Sequence, residues 1–393
     1  FIGIMVEELA SEAKTLLTRF PPNERLAAFS YQANKDSFKF DEYYEVTKTA
    51  EAVTKRDAAR VVLQFPLEML VDSIIVKEQL EKATGKQVYV LSDSVKSSCC
   101  VDTIGAKHIT PSMVVHYGDA CFSDNQEKDI EIRYVLPKVA LDTDKLAQSF
   151  EKFFAQENKY SSVVLFWDVM YDHCSQAFIE KLSKLNGCPR ILPARFSFPG
   201  AENLAEDSVD FLYGRSMKKE DFEHMKEAKA GTVAWLAVGD WVKLLQNLDF
   251  SKLAYGVQEL FYVNTATLEI QRRSDSKELL KRIHLMNKAK EANVFGILIN
   301  KANIKQYEAT TSRLKEVIKS YKKRYYTFLI NKLTETKLAN FPEVDVYILI
   351  SCPNESFYDL KEFYKVLLTP YEAEVVLKDE TWGMYVVNDL SQY

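Results

Sequence analysis

The stretch Val61-Val62-Leu63-Gln64-Phe65-Pro66 is the first of several apolar, β-branched runs that predict buried strands. An amphipathic pattern from Glu68 to Thr84 follows it and predicts a helix, with Gly85 at the position of the helix C-cap. A second apolar run, Val88 to Leu91, comes next. Strand, helix and strand in this order predict a βαβ unit with parallel strands.

The same order of elements recurs twice further along the chain. In both repeats an apolar run precedes a stretch with helical spacing, which a turn connects to another apolar run. Strands that alternate with helices predict an α/β fold of three similar βαβ-type subdomains with parallel sheets. The second repeat comprises Ser162 to Trp167, Ser175 to Leu185 and Arg190 to Leu192, and the third comprises Val294 to Asn300, Ile304 to Tyr321, Tyr325 to Ile330 and a later strand, Asp345 to Ile350.

The chain of 393 residues is long enough for two or three domains, at about 150 residues each. The repeats place domain 1 at residues 43–135, domain 2 at 136–255 and domain 3 at 256–393. Residues 1–42 are predicted to form an N-terminal extension, in which a helix from Ile4 to Phe20 is followed by a polar loop.

The composition is that of a packed globular protein, with 47% apolar residues, 12 Gly and 11 Pro. Acidic and basic residues are mixed along the chain and give a net charge of −5, so we expect no basic stripe for a nucleic acid. No apolar run reaches the roughly 18 to 20 residues that span a bilayer. Residues 1–10 lack the basic region of a secretion signal. We therefore expect a soluble, cytoplasmic protein that binds neither nucleic acid nor membrane.

The chain contains six cysteines, which we do not expect to form disulfides because cytosolic thiols stay reduced. Cys99 and Cys100 follow the second strand of the first repeat, Cys121 follows the next strand, and Cys352 follows the last strand of the third repeat. Ligands of open parallel sheets gather at the carboxyl ends of the strands. Soft thiolates at these positions favour an iron–sulfur cluster, zinc or copper(I).

Position alone leaves the role of these cysteines open. Their spacing is neither that of a zinc ribbon nor that of a ferredoxin, and buried structural thiols are the more frequent case. Cys174, at a predicted helix start, and Cys188, in a turn, are predicted to be structural thiols. His116, inside an apolar strand, is predicted to be a hydrogen-bonded core histidine.

Several motifs have a residue order that is more specific than an apolar pattern. Towards the start they are Val61 to Pro66 with Asp72-Ser73, Leu91-Ser92-Asp93 leading to Ser98-Cys99-Cys100-Val101-Asp102, and Val115-His116-Tyr117-Gly118-Asp119-Ala120-Cys121. Towards the end they are Lys337-Leu338-Ala339-Asn340-Phe341-Pro342-Glu343-Val344-Asp345, Ser351-Cys352-Pro353, Glu362-Phe363 and Thr369-Pro370-Tyr371-Glu372. In these motifs the chain resembles the first and third domains of the diphthamide synthesis protein family, over roughly Phe40 to Trp382.

The resemblance implies three similar α/β domains arranged around a central metal site. The family's enzyme, 2-(3-amino-3-carboxypropyl)histidine synthase, is a radical enzyme with a 4Fe-4S cluster. It transfers the 3-amino-3-carboxypropyl group of S-adenosylmethionine to a histidine of elongation factor 2. The implied partners are therefore elongation factor 2, the catalytic subunit 1 of a heterodimer, and a small metal-binding electron-donor protein.

Two departures from the family pattern imply the second, accessory subunit. Catalytic members carry a cysteine after a strand end of the middle domain, whereas the matching stretch here is Ile191-Leu192-Pro193-Ala194-Arg195. Cys188 lies before that strand rather than at its exit. The loop of the third domain, Gly-rich in the family, reads Ile297 to Ile304 without a glycine, so we expect the partner to bind S-adenosylmethionine.

The resemblance carries Cys100, Cys121 and Cys352 over as the cluster ligands, with Cys99 as the rival of Cys100, while no catalytic residue can be named. His116 and Asp119 are candidates for orienting the cluster loop. The resulting hypothesis is an iron–sulfur subunit that supports reduction of the partner's cluster. The alternatives are a cluster-free scaffold that stabilises the catalytic partner and a homodimeric catalytic enzyme, against which the missing middle cysteine speaks.

Overall fold

The computed structural model describes residues 24–91, 98–122, 130–185, 187–198, 207–229, 231–252, 255–273, 277–300, 307–330, 333–351 and 365–378. The chain divides into two compact units. The first comprises Phe1–Asp142, Val169–Ala177 and Phe198–Glu202, and the second comprises Thr143–Asp168, Phe178–Ser197 and Asn203–Tyr393. The predicted helix from Ile4 to Phe20 lies outside the described residues.

A parallel sheet lies at the centre of the first unit. Within the described ranges its strands are β1 (Arg60–Gln64), β2 (Gln87–Val90), β3 (Met113–Tyr117) and β4 (Glu131–Val135), in the order β2-β1-β3-β4. The three strand pairs are all parallel. Every residue of β3 is buried, as its uninterrupted apolar run predicts. The first βαβ unit is thereby confirmed.

Helices surround this sheet. They are α1 (Glu24–Ala27), α2 (Tyr31–Asn34), α3 (Phe40–Tyr44), α4 (Val46–Lys55), α5 (Ser73–Thr84) and α6 (Thr103–Lys107), with 3₁₀ helices at Leu67–Asp72 and Val169–Cys174. The helix predicted from Glu68 is thus a 3₁₀ turn followed by α5. Gly85 caps α5 with a φ of 66°, and its N–H donates to the carbonyl of Glu81, so the predicted C-cap is confirmed.

The polar loop predicted before residue 43 is wrong, because α1, α2 and the first residues of α3 lie in it. Aromatic packing holds these short helices: the hydroxyl of Tyr43 donates to the carbonyl of Phe29 over 2.6 Å, and the ring of Tyr31 lies against those of Tyr43 and Tyr44. Helices of four or five residues are too short to show an apolar period, so the sequence pattern misses them.

The second unit contains a mixed sheet. The elements of this part of the chain are, in chain order, α7 (Thr143–Gln156), β5 (Ser162–Trp167), α8 (Ser175–Leu182), β6 (Arg190–Phe196), β7 (Ser208–Asp210), β8 (Arg215–Lys218), α9 (Lys219–Glu227), β9 (Val233–Val238), α10 (Val242–Lys252), β10 (Glu259–Val263) and β11 (Ile270–Arg272). Among the described residues the strand order is β11-β10-β9-β5-β6-β8-β7, with β10, β9, β5 and β6 parallel and the pairs that include β7, β8 or β11 antiparallel.

The second unit also contains a fully parallel sheet, in the order β13-β12-β14-β15 for the strands that the structure describes. Its elements in chain order are α11 (Lys277–Ala289), β12 (Val294–Asn300), α12 (Tyr307–Ser320), β13 (Arg324–Ile330), α13 (Glu335–Ala339), β14 (Val346–Ile350), β15 (Val366–Leu368) and α14 (Pro370–Lys378).

The predicted α/β class with parallel sheets is confirmed. The antiparallel strands were not predicted. Strands β10 and β11 of the mixed sheet follow residue 255, and the domain boundaries given above stay predictions. None of the helices in the described part of the chain is both long enough and apolar enough to cross a lipid bilayer.

A capping box starts α14 in the second unit. The Thr369 N–H donates to Glu372 Oε2 over 2.8 Å, and the Glu372 N–H donates back to Thr369 Oγ1 over 3.4 Å. Pro370 occupies the first helical position, where its missing N–H costs nothing. The guanidinium of Arg282, on α11, donates to both carboxylate oxygens of the fully buried Glu372, with Nε at 2.7 Å from Oε1. This buried pair ties α11 to the start of α14.

Candidate metal centre

The first sheet brings the cysteine-bearing segments together. Strand β1 pairs in parallel with β2 on one side and with β3 on the other, so their carboxyl ends face the same way. Cys99 and Cys100 follow β2 and precede α6, whereas Cys121 follows β3. The Cys121 N–H donates to the Cys99 carbonyl over 3.1 Å and joins the two segments directly.

The three cysteines of this region, Cys99, Cys100 and Cys121, form a compact group that we call the cysteine triad. The Sγ atom of Cys100 lies 3.7 Å from that of Cys99 and 3.5 Å from that of Cys121. All three Sγ atoms lie within 4.8 Å of one another. The residues are buried, with exposed fractions of 5%, 1% and 6%, respectively. Among the residues that the structure describes, no other group of His, Cys, Asp and Glu ligand atoms is as close.

Gln64, the last residue of β1, fixes the backbone around Cys100. Its Nε2 donates to the Cys100 carbonyl over 2.8 Å, and its Oε1 accepts from the Asp102 N–H over 2.8 Å. Asp102 in turn caps α6 by accepting from the Gly105 N–H over 2.9 Å. One buried amide therefore sets the peptide units on both sides of Val101.

His116 orders the loop that carries Cys121. Its Nε2 lies 2.8 Å from the Asp119 carbonyl, which can only accept, so Nε2 is protonated and Nδ1 carries the lone pair. Burial lowers the pKa of His116 and keeps the ring neutral. Asp119 Oδ1 accepts from the Ala120 N–H over 2.9 Å and lies 3.6 Å from Arg25 Nη2. His116 is thus the hydrogen-bonded core histidine that the sequence predicts.

Gly118 allows this loop to approach the segment after β1. Its φ of +99° lies in the region that favours glycine, and an added Cβ would lie only 2.8 Å from Pro66 Cγ. Phe65, before that proline, stacks on Tyr117 with ring centroids 4.2 Å apart. The segments that follow β1 and β3 are therefore in close contact, and this contact determines the position of the loop that carries Cys121.

The structure describes five of the six cysteines. It brings Cys100 and Cys121 together, and it also places Cys99 in the same group. Cys352 lies outside the described residues. Cys174 donates its thiol to the Tyr171 carbonyl over 3.1 Å, and burial raises its pKa to about 12, as for an inert structural thiol. Cys188 is partly exposed and does not belong to the triad, and burial raises its pKa too.

Sequence reasoning missed Gln64, although it makes the two hydrogen bonds that hold Cys100 in place. A glutamine inside an apolar strand is a signal in principle, because a buried amide requires partners for both its oxygen and its nitrogen. The sequence gives no indication of which partners these are.

Three buried thiols that converge on one point are a donor set for a soft metal centre. The comparison with known proteins places the chain in a family. The sequence model of the family described as "Putative diphthamide synthesis protein" matches residues 65–387. The chain belongs to this family.

Relatives within the diphthamide synthesis family share most of the chain. The 2-(3-amino-3-carboxypropyl)histidine synthase subunit 2 of Xenopus laevis is 32% identical over 354 residues, which cover 89% of this chain and 71% of that protein. The subunit 2 of Danio rerio is 30% identical over 363 residues, with 88% and 70% covered. The resemblance to the family and to its second subunit, inferred above from motifs, is confirmed.

A solved structure shares the fold. The crystal structure of Dph2 from Pyrococcus horikoshii with a 4Fe-4S cluster superposes with a TM-score of 0.64 at 16% identity, covering 88% of this chain and 93% of that one. At this identity the likeness supports the α/β architecture.

Proposed function

We propose that this chain is the iron–sulfur accessory subunit of 2-(3-amino-3-carboxypropyl)histidine synthase, which carries out the first step of diphthamide synthesis on elongation factor 2. The observation that carries the proposal is the cysteine triad, buried at the carboxyl edge of a parallel sheet. Family membership and the relatives named as subunit 2 support the reaction and the place of this chain as the second subunit.

The donor set fits an iron–sulfur cluster. Thiolates are the ligands that such clusters use, and burial of the triad keeps solvent from the site. The proposed ligands are Cys100 and Cys121 together with Cys352, and Cys99 is the rival of Cys100. Cluster ligands bind different irons and therefore stand farther apart than the 3.5 Å between the sulfurs of Cys100 and Cys121. Cluster binding accordingly requires one of these side chains to rotate outward.

The residues around the triad position the thiolates and exclude water. A bound cluster supplies one-electron transfer, and its surroundings set the potential. Gln64 and His116 fix the two cysteine segments through hydrogen bonds to the backbone. Because an outer partner that orients a ligand affects metal affinity, both residues are part of the proposed site.

The accessory role follows from what the middle of the chain lacks. The stretch that corresponds to the cysteine-bearing segment of catalytic members forms β6. Its Ala194 is fully buried and offers no ligand. We propose that the catalytic subunit 1 binds S-adenosylmethionine and cleaves it, while this chain passes electrons from a small metal-binding donor protein to the partner's cluster. The cytoplasmic location stays a prediction of the sequence.

The test uses the heterodimer purified without oxygen, with Cys100→Ser, Cys121→Ser or Cys352→Ser in this chain. We expect each variant to lose the iron and sulfide of one cluster and one component of the reduced electron paramagnetic resonance spectrum. Modification of elongation factor 2 should slow with the limiting donor protein and recover with excess chemical reductant, because only electron supply is affected. Cys174→Ser, which removes a partly buried thiol outside the triad, is the control.

If the three variants keep the wild-type iron, sulfide and spectrum, the chain is the cluster-free scaffold instead. If this chain alone modifies elongation factor 2 at the full rate, the accessory role is wrong and the chain is catalytic.

A further inference from the structure

The spacing of the cysteine triad is that of ligands to a single metal ion. Around one tetrahedral ion with metal–sulfur bonds of about 2.3 Å, neighbouring sulfurs lie about 3.8 Å apart. The Sγ atoms of Cys99 and Cys121 lie 3.7 Å and 3.5 Å from that of Cys100. The third separation, between Cys99 and Cys121, is at most 4.8 Å. Two of the three separations are therefore already those of a tetrahedral face, and the third lies within about 1 Å of it.

We infer that Cys99, Cys100 and Cys121 together bind one thiophilic divalent ion, of the class of Zn²⁺, whenever no cluster occupies the site. Three thiolates leave the fourth position of the ion to a ligand from outside the triad. Each thiol that binds the ion releases its proton to solvent, and the site then carries one net negative charge. The ion site shares thiols with the proposed cluster site, but it does not depend on the cluster.

Backbone contacts hold the three thiols at this spacing. The hydrogen bond from the Cys121 N–H to the Cys99 carbonyl fixes one segment against the other. Gln64 fixes the peptide units on both sides of Val101 with one hydrogen bond each. Because these contacts do not require a cluster, the thiols are already arranged for the ion, and ordering costs little on binding.

Cys99 distinguishes the ion site from the cluster site. The cluster proposal takes Cys100 and Cys121 and reaches to Cys352, whereas the ion site takes Cys99 as its third ligand. The two sites therefore share two cysteines and differ in the third. Occupancy is exclusive, since one pair of thiolates cannot serve both centres at once. The ion-bound state would block cluster assembly until the ion leaves.

The experiment titrates the full chain, stripped of iron by a chelator without oxygen, with Co²⁺. We expect one Co²⁺ per chain, with thiolate-to-metal charge-transfer absorption that Zn²⁺ displaces. Cys99→Ser, Cys100→Ser and Cys121→Ser should weaken binding more than the about 10- to 100-fold that loss of an outer partner causes. Cys352→Ser and Cys174→Ser should bind as the wild type does.

The inference is overturned if Cys99→Ser keeps the wild-type affinity and absorption, or if Cys352→Ser weakens binding as much as Cys99→Ser does. Zinc X-ray absorption on the wild-type chain gives the same answer without a variant that could misfold. Three sulfur neighbours at about 2.3 Å are expected, and one or two would refute the site. If the purified heterodimer contains no cluster iron in this chain but the chain binds Co²⁺ as expected, this inference stands and the proposed function is wrong.

Discussion

Replacing Gly118 with alanine tests whether the close approach of two strand exits places Cys121. The new Cβ would lie 2.8 Å from Pro66 Cγ and 3.1 Å from Pro66 Cδ. Ordinary contact begins at about 3.5 Å, so the atoms must separate by roughly 0.7 Å. A proline ring is closed onto the backbone and cannot swing aside as a long side chain can. The loop that carries Cys121 must therefore shift.

The expected destabilisation of Gly118→Ala has two parts. A non-glycine residue at positive φ costs about 1 to 2 kcal/mol, and forcing a methyl group into a packed region costs about 1 to 3 kcal/mol. The sum is about 2 to 5 kcal/mol. Gly85→Ala is the matched control, because Gly85 also has a positive φ, of +66°, but nothing lies within 4 Å of an added Cβ. It should cost about 1 to 2 kcal/mol.

Hydrogen exchange of the peptides that contain β1 and β3 measures how much each variant destabilises the first unit. Co²⁺ titration of the same proteins reports the position of Cys121, and Gly118→Ala should weaken binding at least about tenfold while Gly85→Ala leaves it unchanged. Equal destabilisation by the two substitutions, or unchanged Co²⁺ binding in Gly118→Ala, would show that the contact with Pro66 does not position the site.

Three further outcomes follow from contacts described above. Gln64→Leu should destabilise the first unit by about 2 to 4 kcal/mol, because it removes two hydrogen bonds to buried backbone groups near Cys100; urea unfolding measures this loss, and an unchanged free energy of unfolding would contradict it. Glu372→Gln should cost about 3 to 5 kcal/mol in the second unit, because Arg282 keeps a buried charge, and a change below about 1 kcal/mol in denaturant unfolding would refute this. At pH 8, Cys174 should alkylate about 1000-fold more slowly in the folded than in the unfolded protein, because burial raises its pKa to about 12; mass spectrometry of iodoacetamide-labelled protein measures the ratio, and the folded rate should rise about tenfold for each pH unit.

Some strands of the covered sheets were predicted to the exact residue, whereas the equally buried β9 was not predicted at all. Strands β5 and β12 begin and end at the predicted residues, because uninterrupted runs of apolar residues have no other good position than the middle of a covered sheet. Strand β6 runs on to Phe196, past the predicted end at Leu192. Pro193 obscured this continuation. The described part of β8 pairs with β6 only from Arg195 onward, so the proline lies where one side of β6 needs no hydrogen-bonded partner.

The candidate site was predictable in its elements but not in its ligands. Strand exits were the expected place for the thiols, and the structure has the triad there. Sequence could not choose between Cys99 and Cys100, because neighbouring residues on a loop follow no periodicity. The structure places both in the triad through hydrogen bonds from Gln64 and from the Cys121 N–H, which join residues far apart in the chain. Such long-range contacts leave no mark on the local pattern.

The motif Thr369-Pro370-Tyr371-Glu372 helps to identify the family, yet its chemistry is architectural. Its threonine and glutamate start a helix, and the glutamate neutralises a buried guanidinium. Selection for a stable fold would preserve Thr369 and Glu372 even in a relative that had lost the chemistry of the family. Family membership and activity thus depend on different residues of this chain. A genome survey that scores only the tetrapeptide would count inactive descendants together with working ones, and the cysteines have to be inspected separately.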